Sequence, residues 1–528
     1  MANRFWVTGG TGNWNSTTNW STTTGGASGA SVPGSADAAL LDASSGSGTV
    51  TLDISPTIQT LTCTGFTGTL AFGTNTISLN STGTIFTGAT TMTVTGTPQI
   101  ICTNSSATTK SINPGLVTEA NAISFRITAG TGSFSMTSAN SNVKDLDFTD
   151  GTNPTGFTGS FAATFIFVYG NFKASTGMTQ TAGAGSITFA ATSGTKTINT
   201  AGVTFDRPFT FNGVGGTFQL ASALTSGATR TCTLTNGTLD LNGYTLTIGL
   251  FASNNGNTRA IAFGTGKFVL TGNTATVWTN ATATGFSYTG TSRIEAPGPA
   301  TTGTRTFNPG TVATSTEATA LSFYITGGSD TVTFSTTSRR VNVLNFTGFT
   351  GTFTNSNLTV HGSYTLAASP MVVGSGTEIT TFATTTSQNI TTNAQTLDFP
   401  VTFDGIGGSW AMQDALTLGS TRTLTLTNGT LKLKSGTTNT VGSFVTTGTT
   451  QKFLSATTPG SQATLSDASG TNSVSYLTIQ DSNATGGAIF DATAATNVNA
   501  GNNLGWDFSD VAVGGSGNTI GFGFGFRI

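Results

Sequence analysis

The chain has 528 residues, but only 40 are charged (19 basic and 21 acidic), which is 8 % of the sequence against roughly 25 % in an ordinary soluble domain. The net charge of −2 gives no positive field for nucleic acid or an anionic membrane, so we expect neither nucleic-acid binding nor membrane insertion. The 37 Phe residues argue against a disordered chain, because disordered chains are poor in aromatic side chains.

The hydrophobic pattern is that of β-strands along the whole chain. Segments such as Thr229–Thr235 alternate polar and apolar residues, and Asn-Gly and Gly-Gly pairs separate them. Helix formers such as Glu, Lys and Gln are scarce, whereas Thr and Gly dominate. The pattern therefore predicts strands and turns almost everywhere.

The first 42 residues differ from the rest because they contain Trp6, Trp14 and Trp20 in a non-repeating segment. Large aromatic residues of this kind suit a cap that covers the open end of a stack of strands. The start of the chain, Met1–Gly10, lacks the apolar region of a secretion signal. We therefore expect assembly in a cytoplasm and release by lysis.

A long internal repeat follows the predicted cap. Glu119–Thr128 recurs as Glu317–Thr326, 198 residues later, and Phe209–Gly216 recurs as Val401–Gly408, 192 residues later. The change of six residues fits an insertion at Asp150–Pro154 and its neighbour in the first copy. Two copies of about 195 residues therefore span most of the region from about residue 60 to residue 450.

A shorter phrase, Thr-Gly-Phe-Thr-Gly, occurs at residues 64–68, 155–159 and 347–351. In each case we expect the Phe to point inward while the two Gly residues turn the chain at a corner. Stacked short strands with tight corners predict an elongated all-β solenoid, with a right-handed parallel β-helix favoured. The alternative is a string of antiparallel β-sandwich domains.

The last residues, Gly521–Ile528, place Phe522, Phe524 and Phe526 on one face of a predicted strand. Such a strand either docks on a neighbouring molecule or closes the last turn. The sequence thus predicts five regions: an N-terminal cap (1–42), a first β copy (43–255), a second β copy (256–450), a closing β segment (451–506) and a C-terminal docking tail (507–528).

Both ends of the chain resemble known proteins. The segment Trp14–Ser21 followed by Pro33 and Asp37, and the closing segment Tyr476–Phe508, resemble Gly/Thr-rich β-helical phage structural proteins, which form fibres, spikes and appendages. They are less similar to autotransporter-like β-helix adhesins. The resemblance implies a place on a particle or cell surface and a homotrimer that contacts other virion proteins. It brings no catalytic residues.

Few residues offer chemistry, and we predict no catalytic, cofactor-binding or metal-binding residues and no cofactor. We interpret His361, the only histidine, as a surface residue. Asp145, Asp147 and Asp150 form the densest acidic cluster, but their spacing does not match a calcium loop, and a solvated strand edge is favoured over a glycosidase carboxylate pair. Six further residues are assigned to turns or to the core: Asp37, Asp42 and Asp53 to turns, and Cys63, Cys102 and Cys232 to the core.

The function expected from the sequence is that of a non-enzymatic virion protein, a fibre, spike or decoration that contacts host surface glycans. A bacterial surface adhesin and a polysaccharide-degrading tailspike are the alternatives. An ice-binding solenoid ranks last, because the Thr-x-Thr phrases, such as Thr423–Thr427, recur at irregular intervals.

Overall fold

The structure, a computed structural model, describes residues 1–7, 9–152, 154–273, 276–282, 284–298, 303–310, 317–335 and 339–509. The described chain is nearly all β, and its parallel stacked coils form a β-solenoid of about 20 turns. The predicted docking tail lies outside the described residues from position 510 onward. The chain divides into two compact units, Met1–Glu295 and Ala296–Ile528.

The first unit contains three short 3₁₀ helices among its described residues, at Thr17–Asn19, Ala43–Ser45 and Glu119–Asn121. Its strands are β1 Ala2–Trp6, β2 Gly12–Asn13, β3 Trp20–Ser21, β4 Asp37–Leu40, β5 Thr49–Thr51, β6 Thr57–Ile58, β7 Thr60–Thr62, β8 Thr69–Ala71, β9 Ile77–Leu79, β10 Gly83–Thr87, β11 Thr93–Thr95, β12 Gln99–Cys102, β13 Lys110–Asn113, β14 Ser124–Ile127, β15 Ser133–Val143, β16 Leu146–Asp147, β17 Ser160–Val168, β18 Phe172–Lys173, β19 Thr179–Gln180, β20 Ile187–Phe189, β21 Thr195–Asn199, β22 Phe209–Leu220, β23 Leu224–Thr225, β24 Thr231–Asp240, β25 Thr245–Ile248, β26 Leu250–Ala252, β27 Arg259–Ala262, β28 Lys267–Leu270, β29 Thr276–Thr279, β30 Phe286–Thr289 and β31 Ile294–Glu295.

The second unit continues the same pattern of short strands. They are β32 Thr304–Asn308, β33 Leu321–Tyr324, β34 Thr331–Phe334, β35 Arg339–Asn345, β36 Thr352–Thr354, β37 Leu358–Val360, β38 Tyr364–Thr365, β39 Val372–Val373, β40 Thr380–Phe382, β41 Ser387–Thr391, β42 Thr396–Leu397, β43 Val401–Met412, β44 Thr417–Leu418, β45 Thr423–Leu433, β46 Thr438–Thr440, β47 Ser443–Thr446, β48 Lys452–Ala456, β49 Ala463–Ser466, β50 Thr471–Ser473, β51 Leu477–Ile479, β52 Ser482–Thr485, β53 Ile489–Asp491, β54 Val498–Asn499 and β55 Trp506–Asp507.

Strands pair with a strand one turn further along the chain, which in most cases is not the next strand in sequence, although β21 pairs with β22. Val401 of β43 pairs with Leu424 of β45, and Ala38 of β4 pairs with Thr60 of β7. Among the named strands of the described residues, every pair is parallel except β1 with β3. The predicted parallel solenoid is therefore confirmed, and the antiparallel sandwich alternative is wrong.

The two sequence copies fold in the same way. In β22 and β43 the order of buried and exposed residues is identical at all 12 positions. Each strand bends in the middle, where a Cβ on Gly213 or Gly405 would lie 1.9 or 2.0 Å from a carbonyl oxygen of the turn below. Glycine is therefore required at this corner, because any side chain there would overlap the neighbouring backbone.

The repeated Thr-Gly-Phe-Thr-Gly phrase forms corners, as predicted. Phe66, Phe157 and Phe349 are all buried in the core. The second Gly of each phrase packs so closely that a Cβ would lie within 2.2 Å of a backbone oxygen of the preceding turn. The phrase thus combines an inward aromatic anchor with a close backbone approach.

The core consists of aromatic and aliphatic side chains stacked from turn to turn. Phe189 stacks on Phe211, with ring centroids 5.4 Å apart, and Phe382 stacks on Phe403 at 5.1 Å. All three cysteines are free and buried, as predicted. They are Cys63, Cys102 and Cys232.

The tryptophan-rich start of the chain packs as one cluster. Trp20 meets Trp6 and Trp14 edge to face, with ring centroids 5.3 and 4.8 Å apart, and all three are buried. Strand β3 pairs antiparallel with β1 and so covers its free edge. Asp37 and Asp42 accept a backbone N–H from Gly34 and Ser44, as the turn prediction expects. Asp53 instead accepts from Asn15 N, in a distant part of the chain.

Several buried cations lie at or near the start of strands and are held mainly by backbone oxygens. Arg259 donates to the carbonyl oxygens of Ser253, Asn257, Thr282 and Thr284 and is only 1 % exposed. Three others are equally buried: Lys110, Arg305 and Lys452. Because a buried charge is costly without partners, these contacts fix the loops around their strands, and Arg305 is paired in addition with the buried carboxylate of Asp330 at 2.6 Å.

Candidate functional site

Two adjoining cavities of about 190 and 320 Å³ lie on the outer side of one sheet in the first unit. They share Gln99, Ser124 and Asp145, and we call them together the polar groove. Five charged residues line the polar groove: Arg126, Lys144, Asp145, Asp147 and Lys173.

Strands β14, β16 and β18 position these side chains. Phe125, Leu146 and Phe172 are in register with one another and point into the core. Because side chains alternate along a strand, the residues on either side of them point outward. One outward column contains Ser124, Asp145 and Asn171, and the other contains Arg126, Asp147 and Lys173.

The first column is joined by hydrogen bonds that use both oxygens of Asp145. Ser124 Oγ donates to Asp145 Oδ2 at 2.7 Å. Asn171 donates to Asp145 Oδ1 through its backbone N (2.7 Å) and its Nδ2 (3.0 Å). The Oδ1 of Asn171 in turn accepts from the backbone N and Oγ1 of Thr197. The carboxylate is therefore tied to the turns on both sides of it.

The second column alternates in charge. Arg126 and Lys173 are the register neighbours of Asp147 on its two sides. Arg126 Nε lies 3.4 Å from Asp147 Oδ2, and Asp147 Oδ1 accepts from the backbone N and Oγ1 of Thr149 at 2.8 and 2.7 Å. Within the described residues, Arg126 Nε is buried and has no hydrogen-bond partner of good geometry. The ion pair therefore does not use the full hydrogen-bonding capacity of the guanidinium.

The insertion predicted at Asp150–Pro154 forms a small hairpin next to this column. Thr149 and Gly156 form an antiparallel bridge, and Asp150 accepts from Thr152 N at 2.8 Å and from Thr155 Oγ1 at 2.9 Å. These hydrogen bonds hold the pKa of Asp150 below its usual value. A Cβ on Gly151 would lie 3.5 Å from the Arg126 guanidinium, so the hairpin borders the groove.

The second copy has the same strand ladder without the charges. Phe323 pairs with Leu344 as Phe125 does with Leu146, and Asn345 pairs with Thr365 as Asp147 does with Lys173. The five charged positions become uncharged residues there: Tyr324 for Arg126, Asn342 for Lys144, Val343 for Asp145, Asn345 for Asp147 and Thr365 for Lys173.

The hydrogen bond to the turn after this position is the same in both copies, whether the residue is acidic or uncharged. Asn345 Oδ1 accepts from Thr347 N at 2.7 Å, just as Asp147 Oδ1 accepts from Thr149 N at 2.8 Å. An amide therefore holds this turn as well as a carboxylate does. The second copy forms this turn without a negative charge, so the hydrogen bond to the turn does not by itself account for the charge of Asp147.

Two interpretations of single residues were wrong. Asp147 is not on a solvated strand edge, because it is only 9 % exposed, whereas Asp150 is exposed. His361 is not a surface residue, because it is 4 % exposed and its Nδ1 lies 2.6 Å from the carbonyl oxygen of Ala383. Burial and the positive charge of Arg340 lower the pKa of His361. Its neutral ring therefore belongs to the packing of the second unit.

The cationic residues of the groove were missed by the sequence analysis. Lys144 and Lys173 are 29 residues apart, and no local motif joins them. The available signal was a position-by-position comparison of charge between the two copies, which shows that Arg126, Lys144 and Lys173 have no charged counterpart.

The groove combines hydroxyl, amide, carboxylate and cationic groups on a rigid sheet. Such groups bind sugar hydroxyls and charged substituents through hydrogen bonds. Comparisons with protein-family models, curated proteins and solved structures found no match. In the described part of the chain, no helix is long and apolar enough to cross a membrane, and no cluster of three or more His, Cys, Asp or Glu residues could hold a metal ion.

Proposed function

We propose that this chain is a structural protein of a bacteriophage particle, an appendage of the fibre, spike or decoration type, whose polar groove binds host surface glycans without cleaving them. The observation that carries the proposal is the set of five charges that the first copy has and the second copy lacks on the same scaffold. Charges that the scaffold does not require support a binding role for this face.

The surface chemistry supports a glycan as the ligand. A chain with only 8 % charged residues exposes mainly hydroxyl, amide and backbone groups, which exchange hydrogen bonds readily with sugars. Ser124, Asp145 and Asn171 are already held in place by their mutual hydrogen bonds. A preorganised row of this kind loses little conformational entropy when a ligand binds.

The hydrogen bonds of the acidic pair support binding over cleavage. A glycosidase needs one carboxyl group that donates a proton and a second that acts as base or nucleophile. Both oxygens of Asp145 accept hydrogen bonds from the protein, and Asp147 is shared by Thr149 and Arg126. The oxygens of both carboxyl groups are therefore occupied by contacts within the protein.

Immunogold labelling with an antibody against the chain tests the proposed location. We expect label on particles released by lysis of the producing cells. Purified full-length chain should also compete with particles for adsorption to host cells. Label on intact bacterial surfaces, with none on particles, would replace the virion proposal with the alternative of a bacterial surface adhesin.

Measurement of molecular mass tests the expected homotrimer. Light scattering of the purified full-length chain should give three times 53.3 kDa. A monomer at all concentrations would contradict the trimer.

A polysaccharide-degrading tailspike is the second candidate, because Asp145 and Asp147 project from the same side of one segment. Incubation of the chain with capsular or lipopolysaccharide preparations distinguishes the two candidates. We expect no new reducing ends. Their release by the wild type, and its loss in D147N, would make the groove an active site.

A further inference from the structure

We infer that the polar groove selects an acidic polysaccharide, one whose chain bears repeated carboxylate or phosphate groups. This inference rests on the proposed glycan contact and adds the chemical class of the ligand. It follows from the contacts of the charged residues in the groove. Contacts within the chain use the carboxylate oxygens, whereas the two lysines form no ion pair among the described residues.

The oxygens of the two carboxylates are used by contacts within the chain. Asp145 accepts three hydrogen bonds, from Ser124 Oγ and from the backbone N and Nδ2 of Asn171. Asp147 accepts two from Thr149 and faces Arg126 at 3.4 Å. The oxygens of both carboxylates are therefore engaged within the chain and offer few free acceptor sites to a ligand.

The positive charges are less fully used. Among the described residues, neither Lys144 nor Lys173 forms an ion pair. Lys144 is exposed and Lys173 is partly exposed. The five charges of the groove sum to +1, in a protein whose net charge is −2. The groove is thus a local positive site on a weakly negative molecule, and it favours an anionic partner.

The spacing of the cations favours a polymer over a small anion. Arg126 and Lys173 lie on strands two steps apart in the stack, which places their backbones about 10 Å from each other. Asp147 stands between them. A single small anion placed between the two cations would also meet the Asp147 carboxylate, whereas a chain with repeated acidic groups can contact each cation and pass this carboxylate.

The second copy supplies substitutions that the scaffold already accommodates. K144N and K173T install the residues that the second copy has at these positions, so they are expected to preserve the fold. K432T and K434T form the matched control, because they remove two positive charges from partly exposed positions in the second unit. Far-ultraviolet circular dichroism checks that both double variants fold like the wild type.

The experiment measures binding of the full-length chain to three immobilised polymers by biolayer interferometry. Polygalacturonate carries carboxylates, polyribitol phosphate carries phosphates, and dextran is neutral. We expect one or both acidic polymers to bind, more weakly as salt is added, and dextran to bind weakly or not at all. The polymer that binds more tightly identifies which acidic group the groove prefers. K144N/K173T should lower the affinity for that polymer about tenfold, whereas K432T/K434T should leave it unchanged.

A further variant tests the sign of the electrostatic effect. D147N keeps the acceptor that Thr149 needs but removes the negative charge between the two cations, so it should raise the affinity for the acidic polymer. An unchanged or lower affinity in D147N, or equal binding of dextran and the acidic polymers, would overturn the selectivity for acidic chains while leaving a glycan contact in place. If no polymer binds and the chain also fails to bind host envelope preparations, the proposed function itself fails.

Discussion

Glu317 offers a sharp test of how neighbouring turns of the solenoid are held together. It precedes β33, yet its carboxylate accepts hydrogen bonds from Thr384 Oγ1, from Thr385 N and Oγ1 and from Thr386 Oγ1, at 2.7 to 2.8 Å. Those threonines follow β40, which is three strands further along the stack. One side chain therefore connects distant turns of the second unit.

The pKa of Glu317 gives the size of the expected effect. Partial burial alone would raise this pKa, but the hydrogen bonds from the threonines outweigh burial and lower it from 4.5 to about 2. A fall of this size corresponds to about 3 kcal/mol of stabilisation. Because the carboxylate is partly solvated, we expect about 1–2 kcal/mol to be measurable.

The sign of the pH dependence follows from the direction of the change. The pKa is lower in the folded state, so the stabilisation is complete above about pH 4.5 and disappears as the pH falls towards 2. E317Q should therefore be about 1–2 kcal/mol less stable than the wild type at pH 6. The two proteins should converge at the acidic end of this range.

Urea unfolding between pH 6 and pH 2 measures this difference, and hydrogen exchange at the Thr385 amide reports the local contact. D404N is the matched control, because Asp404 is an exposed carboxylate that accepts one side-chain hydrogen bond, from Asn428. Stability curves of wild type and E317Q that run parallel across this pH range would refute the reasoning. So would equal protection of the Thr385 amide in both proteins at pH 6.

Three other outcomes are expected from the packing. G213A should destabilise the chain by more than about 2 kcal/mol in urea, because its Cβ would overlap a carbonyl oxygen, whereas G256A, with open space around it, should be nearly neutral. D330N removes the only carboxylate paired with buried Arg305 among the described residues, at 2.6 Å, and should cost about 3–5 kcal/mol. D398N, at a partly exposed pair, should cost less than about 1 kcal/mol, and equal losses would contradict this ranking. Burial raises the pKa of all three thiols, so a thiol reagent at about pH 8 should label none until the protein is denatured, and labelling in the native state would show that the core is open at Cys63, Cys102 or Cys232.

The fold was predictable because its signals are local. The alternation of Thr with Leu or Val marks strands, and the Thr-Gly-Phe-Thr-Gly phrase marks corners, each within a few residues of sequence. The near-identical segments Phe209–Gly216 and Val401–Gly408 then required identical structures, which is what β22 and β43 show. Parallel stacking followed because short strands with weak repeats bury their inner faces only against the next turn.

The groove was not predictable in the same way, because its contacts join residues that lie one turn apart. Asp145 meets Asn171 across 26 residues, and the intervening turn length varies along the chain, so the sequence does not indicate which residues face each other. Burial of His361 was missed for a related reason. Its local sequence resembles a strand end, and only the stacked turn that contains Ala383 covers it.

The duplication explains why function and stability can be separated in this molecule. A scaffold built twice from the same strands reveals which residues each copy needs, and both copies retain the buried corner phenylalanines and the glycines that permit close backbone approach. The charged ladder of Arg126, Asp147 and Lys173 appears in one copy only, and partly exposed ion pairs contribute little to stability. Asn345 holds the same turn without a charge, so the turn alone does not account for the charges of the first copy, and the proposed glycan contact gives them a role that K144N/K173T and D147N test.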